Sequence, residues 1–486
     1  MLLQPFLSQC LHRPDATALQ EHERRVSYGE LLAHAQSVAA GLQRLGVQPG
    51  RPVAVHLDRG IDATIAVFGV LLAGACYVPL DLKNPPPRLA FILADAKVQA
   101  VLGQGSAPAW LEPGLWLDIA ACPAARPQPV ETQASSLAAI LYTSGSTGQP
   151  RGVALSHGVI AAFAQWAAEL LALSAVDRIA SSAPFFFDLS TFDLYAVLGR
   201  GASLHFVPSN LGFAPARLSG WLREHAISGW YTVPSLLAFL AYKGNLAQTP
   251  LQHLRFLLFA GEVFPTPALI DLAALLPQTA LCNFFGPTET NVCCHWPVDR
   301  SRLKAGQPIP IGLPAAGCEL HIEAETGELW VRGPTLASGY WAEGCLRPFL
   351  IKPSPLGTGL GEGWYPTGDR VSLVNGEYHF HGRLGRMLKC SGYRVEPAEI
   401  EAAVNAMDGV TGCAVVGIDD PAAGQRPALA LCLEPHVTPA AIRQNLARQL
   451  PPYMQPSRYL ALDELPRLPN GKLDYQTVHS LLESQQ

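Results

Sequence analysis

The sequence has no Cys-X-X-Cys pair, no Gly-X4-Gly-Lys-Ser/Thr phosphate loop and no surplus of basic residues. Each absence speaks against a class of protein. Its eleven cysteines are odd in number and scattered without metal-ligand spacing, so free, mostly buried thiols of a reducing cytosol are expected. A formal charge of −5 offers no global basic field, so nucleic acid is not an expected partner. The longest apolar stretch, 65–80, is short for a bilayer and is broken by Gly69, Gly74 and Pro79; it reads as a buried helix followed by a turn. The N-terminus lacks a basic segment leading into an apolar run, so neither a signal peptide nor a membrane is expected and the chain reads as cytoplasmic. No internal repeat is visible.

What is present is apolar and long. Hydrophobic residues make up 49% and charged residues 15% of 486, which describes packed enzyme domains, two or more of them. Ser27 and Glu30 form a capping-box pattern ahead of Leu31, Ala35, Val38 and Leu42, closed by Gly46, which predicts a helix. Strand-like runs at 52–57 and 137–142 alternate with helical ones at 65–72 and from about Gly158, predicting α/β architecture with largely parallel sheets. Near the C-terminus, Asn375-Gly376 between apolar runs predicts a hairpin. Pro397 and Thr438-Pro439 start helices, and 414–418 and 428–433 read as strands of a small α+β module. The expected domains are 1–384 and 385–486. The proline clusters at 84–88 and 123–129 read as surface loops.

Four segments carry candidate chemistry. TSGSTGQPRG (143–152) follows a predicted strand and precedes a predicted helix; its amides and hydroxyls suit a polyphosphate, with Arg151 just after. The plain alternative is a flexible linker. NFFGPTETNVCC (283–294) sets Thr288 beside Glu289 after an aromatic pair, suiting a phosphate, Mg²⁺ and a purine, although Gly-Pro-Thr-Glu is also an ordinary turn. YPTGDR (365–370) places Asp369 on a tight turn, where it suits ribose hydroxyls or merely closes the turn. LPNGKLD (468–474) exposes Lys472, and a terminal lysine is usually only a solvated charge.

In that order the four segments resemble the core motifs of the adenylate-forming superfamily, which includes nonribosomal peptide synthetase adenylation domains, acyl-CoA synthetases and luciferases. VSYGEL (26–31), LLAGACYVPLD (71–81), FFDLS and GELWVRG (327–333) extend the resemblance over essentially the whole chain. It implies a large N-terminal domain of stacked βαβ-type sheets with a small barrel-like sheet, and a small mobile α+β C-terminal domain, the two enclosing ATP and an acid. Matched motif by motif, Thr143, Ser144, Gly145, Ser146, Thr147, Gly148 and Arg151 surround the phosphates. Gly261, Glu262, Asn283, Phe284, Phe285 and Gly286 belong to the nucleotide site, with Phe285 stacking on adenine. Thr288 meets the α-phosphate, Glu289 holds Mg²⁺, Asp369 and Arg383 take the ribose, and Lys472 bridges the acid and the α-phosphate. Three positions depart from the pattern: Arg151 stands for lysine, Phe285 for tyrosine, and Gly385 for a hinge aspartate, where glycine still permits rotation.

The resemblance also implies the acid. Asp188 aligns with the carboxylate that grips an α-amino group, and it reads equally as a helix N-cap. With Leu189, Phe192, Tyr231, Leu258, Ala260, Phe284, Val292 and Cys293 it gives a lining without a second charge, similar to the stand-alone proline-activating ligases that begin pyrrole formation. Expected partners are therefore L-proline and, because no carrier motif follows Asp474, a separate carrier protein with a phosphopantetheine thiol whose path the 389–392 region lines. The alternatives are a ligase for another small amino acid such as alanine, an acyl-CoA synthetase, or a non-catalytic nucleotide-binding regulator.

Overall fold

The structure is a computed structural model that describes residues 2–112, 114–145, 148–349, 363–420, 424–468 and 472–484. The chain falls into two compact units. One comprises Met1–Asp81, Leu93–Leu141 and Gly152–Gly382; the other comprises Leu82–Ile92, Tyr142–Arg151 and Arg383–Gln486.

In the first unit, Thr17–Glu21, Ser203–Phe206, Arg178–Ser181, Gly229–Thr232, Phe256–Phe259 and Ala280–Phe285 run parallel within a nine-stranded sheet. Strands buried on both faces read as continuous apolar runs, and FLLF at 256–259 is one. Leu258 and Tyr231 face a core shared with Val53, Tyr77, Leu141 and Val153 of an eight-stranded sheet and with helices Tyr28–Arg44, Ile61–Leu72 and His157–Leu170. Trp230, Leu257 and Phe259 face a second core built with helices Pro215–Glu224, Pro234–Lys243 and Thr266–Leu275. A four-stranded sheet, in which Glu319–Ile322, Glu328–Arg332 and Tyr365–Val374 pair antiparallel, is the small sheet expected. Its last turn is the predicted hairpin, with Asn375 at φ 52° and Gly376 at φ 82°.

In the second unit, a five-stranded sheet carries a core on each face. Val415, Leu429 and Leu431 pack with helices Pro397–Asn405 and Pro439–Gln449; Ala414, Val416 and Ala430 pack with helix Tyr475–Glu483. Thr438 caps the second of these helices through Ala441 N, as its sequence predicts.

Two expectations are corrected and one strand is added to them. Between the glycine-rich loop and the predicted helix, which forms at His157–Leu170, stands an unexpected strand, Arg151–Ser156, paired with Gly339–Ala342. The run 65–80 ends not in a turn alone but in a buried strand, Cys76–Pro79, after Gly74 reverses the chain at φ 73°. The proline cluster at 84–88 is not a surface loop: Pro86 starts a helix to Ala96, since the first helical turn needs no proline N–H, and Asn84 and Arg88 are buried. The cysteines are free, nine of them buried, and no helix among the described residues is long and apolar enough to cross a membrane.

The capping box forms as read: Ser27 Oγ accepts from Glu30 N at 3.2 Å and Glu30 accepts from Ser27 N at 2.8 Å. Calorimetry of Ser27→Ala should show a lowered Tm, a loss of about 1 kcal/mol. An unchanged Tm would deny the cap any weight.

Candidate active site

Parallel strands all end on the same side of a sheet, and ligands of open α/β sheets bind there. Tyr231 pairs with Leu258, and Leu258 with Cys282, across three adjacent strands. Period-two alternation then puts Phe284 on the same face, two residues further on. Tyr231 meets Phe284 edge-on at 5.5 Å, and Phe192 meets Tyr231 edge-on at 5.7 Å and 89°. Edge-to-face packing satisfies the ring quadrupoles and fixes the three rings against one another. Ala260 and Val292 join the same core and half-buried Leu189 packs against it, so the structure brings these expected lining residues together. Cys293 is the exception: it is buried in a different cluster with Ile311, Leu329 and Val371.

Asp188 lies on a turn rather than inside a helix. Its carbonyl accepts from Thr191 N at 2.9 Å and from Thr191 Oγ1 at 2.6 Å. Thr191 Oγ1 in turn accepts from Asn291 Nδ2 at 3.3 Å, which ties the Asp188 turn to the 283–294 segment. Burial, then the charges of Asp188 and Asp193, raise the Tyr231 hydroxyl, so it stays protonated while the Asp188 carboxylate projects its field into the aromatic cluster.

Phe192–Val197 is a π-helical turn, a local irregularity frequent at functional sites. It points Phe192 at Tyr231 and buries Asp193, 1% exposed. Burial pushes the Asp193 carboxyl up to about 7, with Ser181 and the Arg59 charge offsetting part of that rise. Arg59 itself is held by the Ser181 and Val207 carbonyls.

The 283–294 segment is a tight reversal between Ala280–Phe285 and Cys294–Pro297, which pair antiparallel. A Cβ on Gly286 would collide with the Asn291 carbonyl, so only glycine fits, and Asn291 takes φ 51° to close the turn. Glu289, 1% exposed, accepts from the Tyr340 hydroxyl at 3.0 Å, and Tyr340 contacts the Tyr365 hydroxyl at 3.1 Å. Thr288 sits half-buried beside it. Phe285 is half-buried, 5.6 Å from the Phe380 ring. Asn283 donates to Pro310 O, while Glu262 accepts from Ser235 N at 2.8 Å next to Gly261, whose φ is 93° with open space beside it. Asp369 is not on a turn, as expected, but inside the strand Tyr365–Val374, 1% exposed, where Gly368 at φ 73° kinks the chain. Its N–H donates to Thr367 Oγ1 at 3.1 Å, and its charge raises the Cys294 thiol further above the level set by burial.

The remaining expected residues belong to the second unit. Thr143 ends its strand, and Ser144 Oγ donates to Arg394 O at 2.6 Å and accepts from Glu396 N at 3.1 Å. Gly145 and Gly148 close a turn, Gly148 N to Gly145 O at 3.1 Å, and a Cβ on Gly145 would collide with the Gln149 carbonyl. Ser146 and Thr147 lie outside the described residues. Arg88 and Glu399 form a buried ion pair beside this loop; burial raises Glu399 and Arg88 pulls it back down. Arg151 opens its strand and Arg383 closes another. Gly385 has no neighbour within 4 Å of its missing side chain. Lys472 is exposed, its carbonyl accepting from Leu468 N at 2.8 Å.

Sequence reasoning missed Trp166, 5.3 Å from Phe284 and 5.2 Å from His295, because a tryptophan on a core helix carries no signal of its own. It missed Tyr340, which only the pairing of Gly339–Ala342 with Arg151–Ser156 brings into place, and the acid Asp193, readable as another charge in a motif.

The AMP-binding enzyme family matches residues 6–341, and the AMP-binding enzyme C-terminal domain matches residues 399–472. The chain belongs to the AMP-binding enzymes, so an adenine nucleotide, supplied as ATP, is part of its chemistry. It is similar to an L-proline–[L-prolyl-carrier protein] ligase of Streptomyces coelicolor, 38% identical over 93% of this chain and 91% of the relative. A ligase of the same name from Pseudomonas fluorescens is 36% identical over 95% of each. Among solved structures, holo-PA1221, an NRPS protein containing adenylation and PCP domains, superposes with a TM-score of 0.82 at 25% identity, covering 98% of this chain and 83% of that one.

A carboxyl whose pKa rises on folding holds a proton that the unfolded chain has released, so its contribution to stability is full at low pH and is lost as pH climbs toward the folded value. The Tm of Asp193→Asn should therefore gain on the wild type between pH ~4 and ~7 and run parallel to it above. A pH-independent difference would show that Asp193 is ionised throughout.

Proposed function

We propose that this chain activates L-proline as prolyl-AMP and passes the prolyl group to the phosphopantetheine thiol of a separate carrier protein. The carrying observation is the aromatic cluster of Phe192, Tyr231 and Phe284 with the Asp188 turn beside it. A compact ring suits an apolar lining of edge-on aromatics. A secondary ammonium retains two hydrogens for Asp188, and each charge offsets the other's desolvation. Among the expected lining residues only Asp188 carries a charge, which disfavours charged side chains. The names borne by the Streptomyces coelicolor and Pseudomonas fluorescens relatives support the same substrate and the same acceptor.

In this reading the proline carboxylate attacks the α-phosphorus of ATP in line and pyrophosphate leaves, so charge grows on the equatorial oxygens and no enzyme nucleophile is required. Thr143, Ser144, Gly145, Ser146, Thr147, Gly148 and Arg151 surround the leaving phosphates. Phe285 stacks on adenine, Asp369 and Arg383 take the ribose, Thr288 donates to the α-phosphate, and Lys472 meets the charge where it develops. Mg²⁺ accepts one or two protein carboxylates with phosphate and water as its other ligands; Glu289, oriented by the Tyr340 hydroxyl, is a hard oxygen donor that fits that need. When bound, the ion would neutralise phosphate charge. We take residues 385–486 as the mobile subdomain and Gly385 as its hinge, and the cytoplasm as the place of work.

Exchange of labelled pyrophosphate into ATP, run with each amino acid plus benzoate and hexanoate, tests the substrate. L-Proline should dominate; faster exchange with alanine, valine or an aryl acid overturns the pocket reading. Lys472→Ala should cost ~3 kcal/mol in the barrier, or about a hundredfold in rate, at unchanged Tm. Near-normal exchange would remove Lys472 from the chemistry.

A further inference from the structure

A second polar feature lies at the opposite edge of the nine-stranded sheet. The strands Thr17–Glu21, Arg178–Ser181 and Ser203–Phe206 run parallel, and the Asp188 turn follows the C-terminal end of one of them. At their N-terminal ends opens a cavity of about 280 Å³. Its walls include Arg13, Arg25, Arg178, Ser203 and His205.

Strand register accounts for this convergence. Arg178 pairs with Ser203, and one row further on His205 pairs with Gln20, which pairs with Arg25 on the edge strand Arg24–Ser27. With side chains alternating in period two, these residues share one face of the sheet. Arg13, just past the helix Gln4–His12, reaches over the same opening and donates to Gly201 O at 3.1 Å.

Three guanidinium groups in one cavity repel each other, and nothing lining it balances them. The single carboxylate there, Asp177, is 1% exposed and already accepts from Arg255 Nη1, Ser174 N and Ser228 Oγ at 2.5, 2.9 and 2.8 Å. Meanwhile Arg178 Nε is buried without a hydrogen-bond partner. His205, 1% exposed, likewise keeps Nδ1 without one, its Nε2 facing Ser203 Oγ at 3.0 Å. Buried polar atoms left unpaired are costly for folding alone, and each calls for an explanation. Burial, then Arg178, His225 and Arg25, hold the His205 imidazole down at about 3, so the ring is neutral near pH 7 in a strongly positive surrounding.

We propose that this cavity binds a small phosphate anion, with Arg13, Arg25 and Arg178 as its charged donors and the hydrogen-bonded Ser203–His205 pair supplying one neutral donor, an O–H or an N–H according to the tautomer of His205. Guanidinium forks match phosphate oxygens in pairs, which is why arginine prevails at such sites. The volume is at the lower limit of the roughly 300–1,000 Å³ typical of small-molecule sites, which favours inorganic phosphate or pyrophosphate over a nucleotide. The site stands apart from Asp188, Tyr231 and Phe284 and does not depend on which acid the enzyme activates.

Calorimetric titration of the full chain with sodium phosphate, and separately with sodium pyrophosphate, tests this. Arg178→Ala and Arg25→Glu should each weaken at least one of the two anions by about tenfold or more, while amino-acid-dependent pyrophosphate exchange stays at the wild-type rate. Arg25 is exposed on an edge strand, so its variant keeps the fold if Arg178→Ala does not. Weakening of both anions identifies a single-phosphate ligand; weakening of pyrophosphate alone identifies a diphosphate. If both variants titrate with both anions as the wild type does, the cavity is no anion site and the proposal falls.

Discussion

The aromatic cluster of the candidate site hangs on the parallel hydrogen-bond register of Gly229–Thr232, Phe256–Phe259 and Ala280–Phe285. A parallel ladder is slanted and slightly weaker per residue than an antiparallel one, and it is found where both faces are covered. Here both faces are, by two separate cores, so a slip of one residue would exchange Tyr231 with Trp230 and Leu258 with Leu257 between them. Burying a large apolar side chain is worth about 1.5–3 kcal/mol. Reshuffling several at once makes any other register uncompetitive, and the aromatic cluster inherits that rigidity.

Against this apolar frame the buried charges divide into paired and unpaired. Arg88 with Glu399 is matched within the interior, and removing one partner of such a buried pair costs more than the pair gains, about 3–5 kcal/mol; buried Asp177 is matched by Arg255, which is part-exposed. Among the described residues Asp193 forms no close ion pair, and Ser181 and the Arg59 charge ease its burial only in part, so it meets the rest by shifting its proton equilibrium. The three arginines at the far edge, part-buried or exposed, keep their charge, since an arginine does not give up its proton in a protein.

What the sequence discloses is what local geometry decides. The Ser27–Glu30 cap, the Asn375-Gly376 turn and the Thr438 helix start need only their immediate neighbours, and all three form as read. The strands Arg151–Ser156 and Cys76–Pro79 were hidden because a short apolar run has no period of its own. The first exists through pairing with Gly339–Ala342, almost two hundred residues away. Gly368-Asp369 reads as a turn in sequence, whereas the chain absorbs Gly368's positive φ as a kink within a strand. The candidate site follows the same rule. Its motif residues were legible as a series, but Trp166, Tyr340 and the link from Asn291 to Thr191 arise from tertiary placement alone.

The shared face of Tyr231, Leu258 and Phe284 bears on how such a protein changes over evolutionary time. The ladder that fixes these positions is made of backbone groups, so side chains can be exchanged there without disturbing the register that presents them. Trimming a ring leaves a void costing roughly 24 cal/mol per Å³, and an apolar void of that kind stays dry and open to a better-fitting guest. On the proposed reading, specificity is stored in a few replaceable parts on a permanent support. A lineage could acquire a new acid by single substitutions, each tolerable on its own, while the scaffold that folds and the groups that handle phosphate stay as they are.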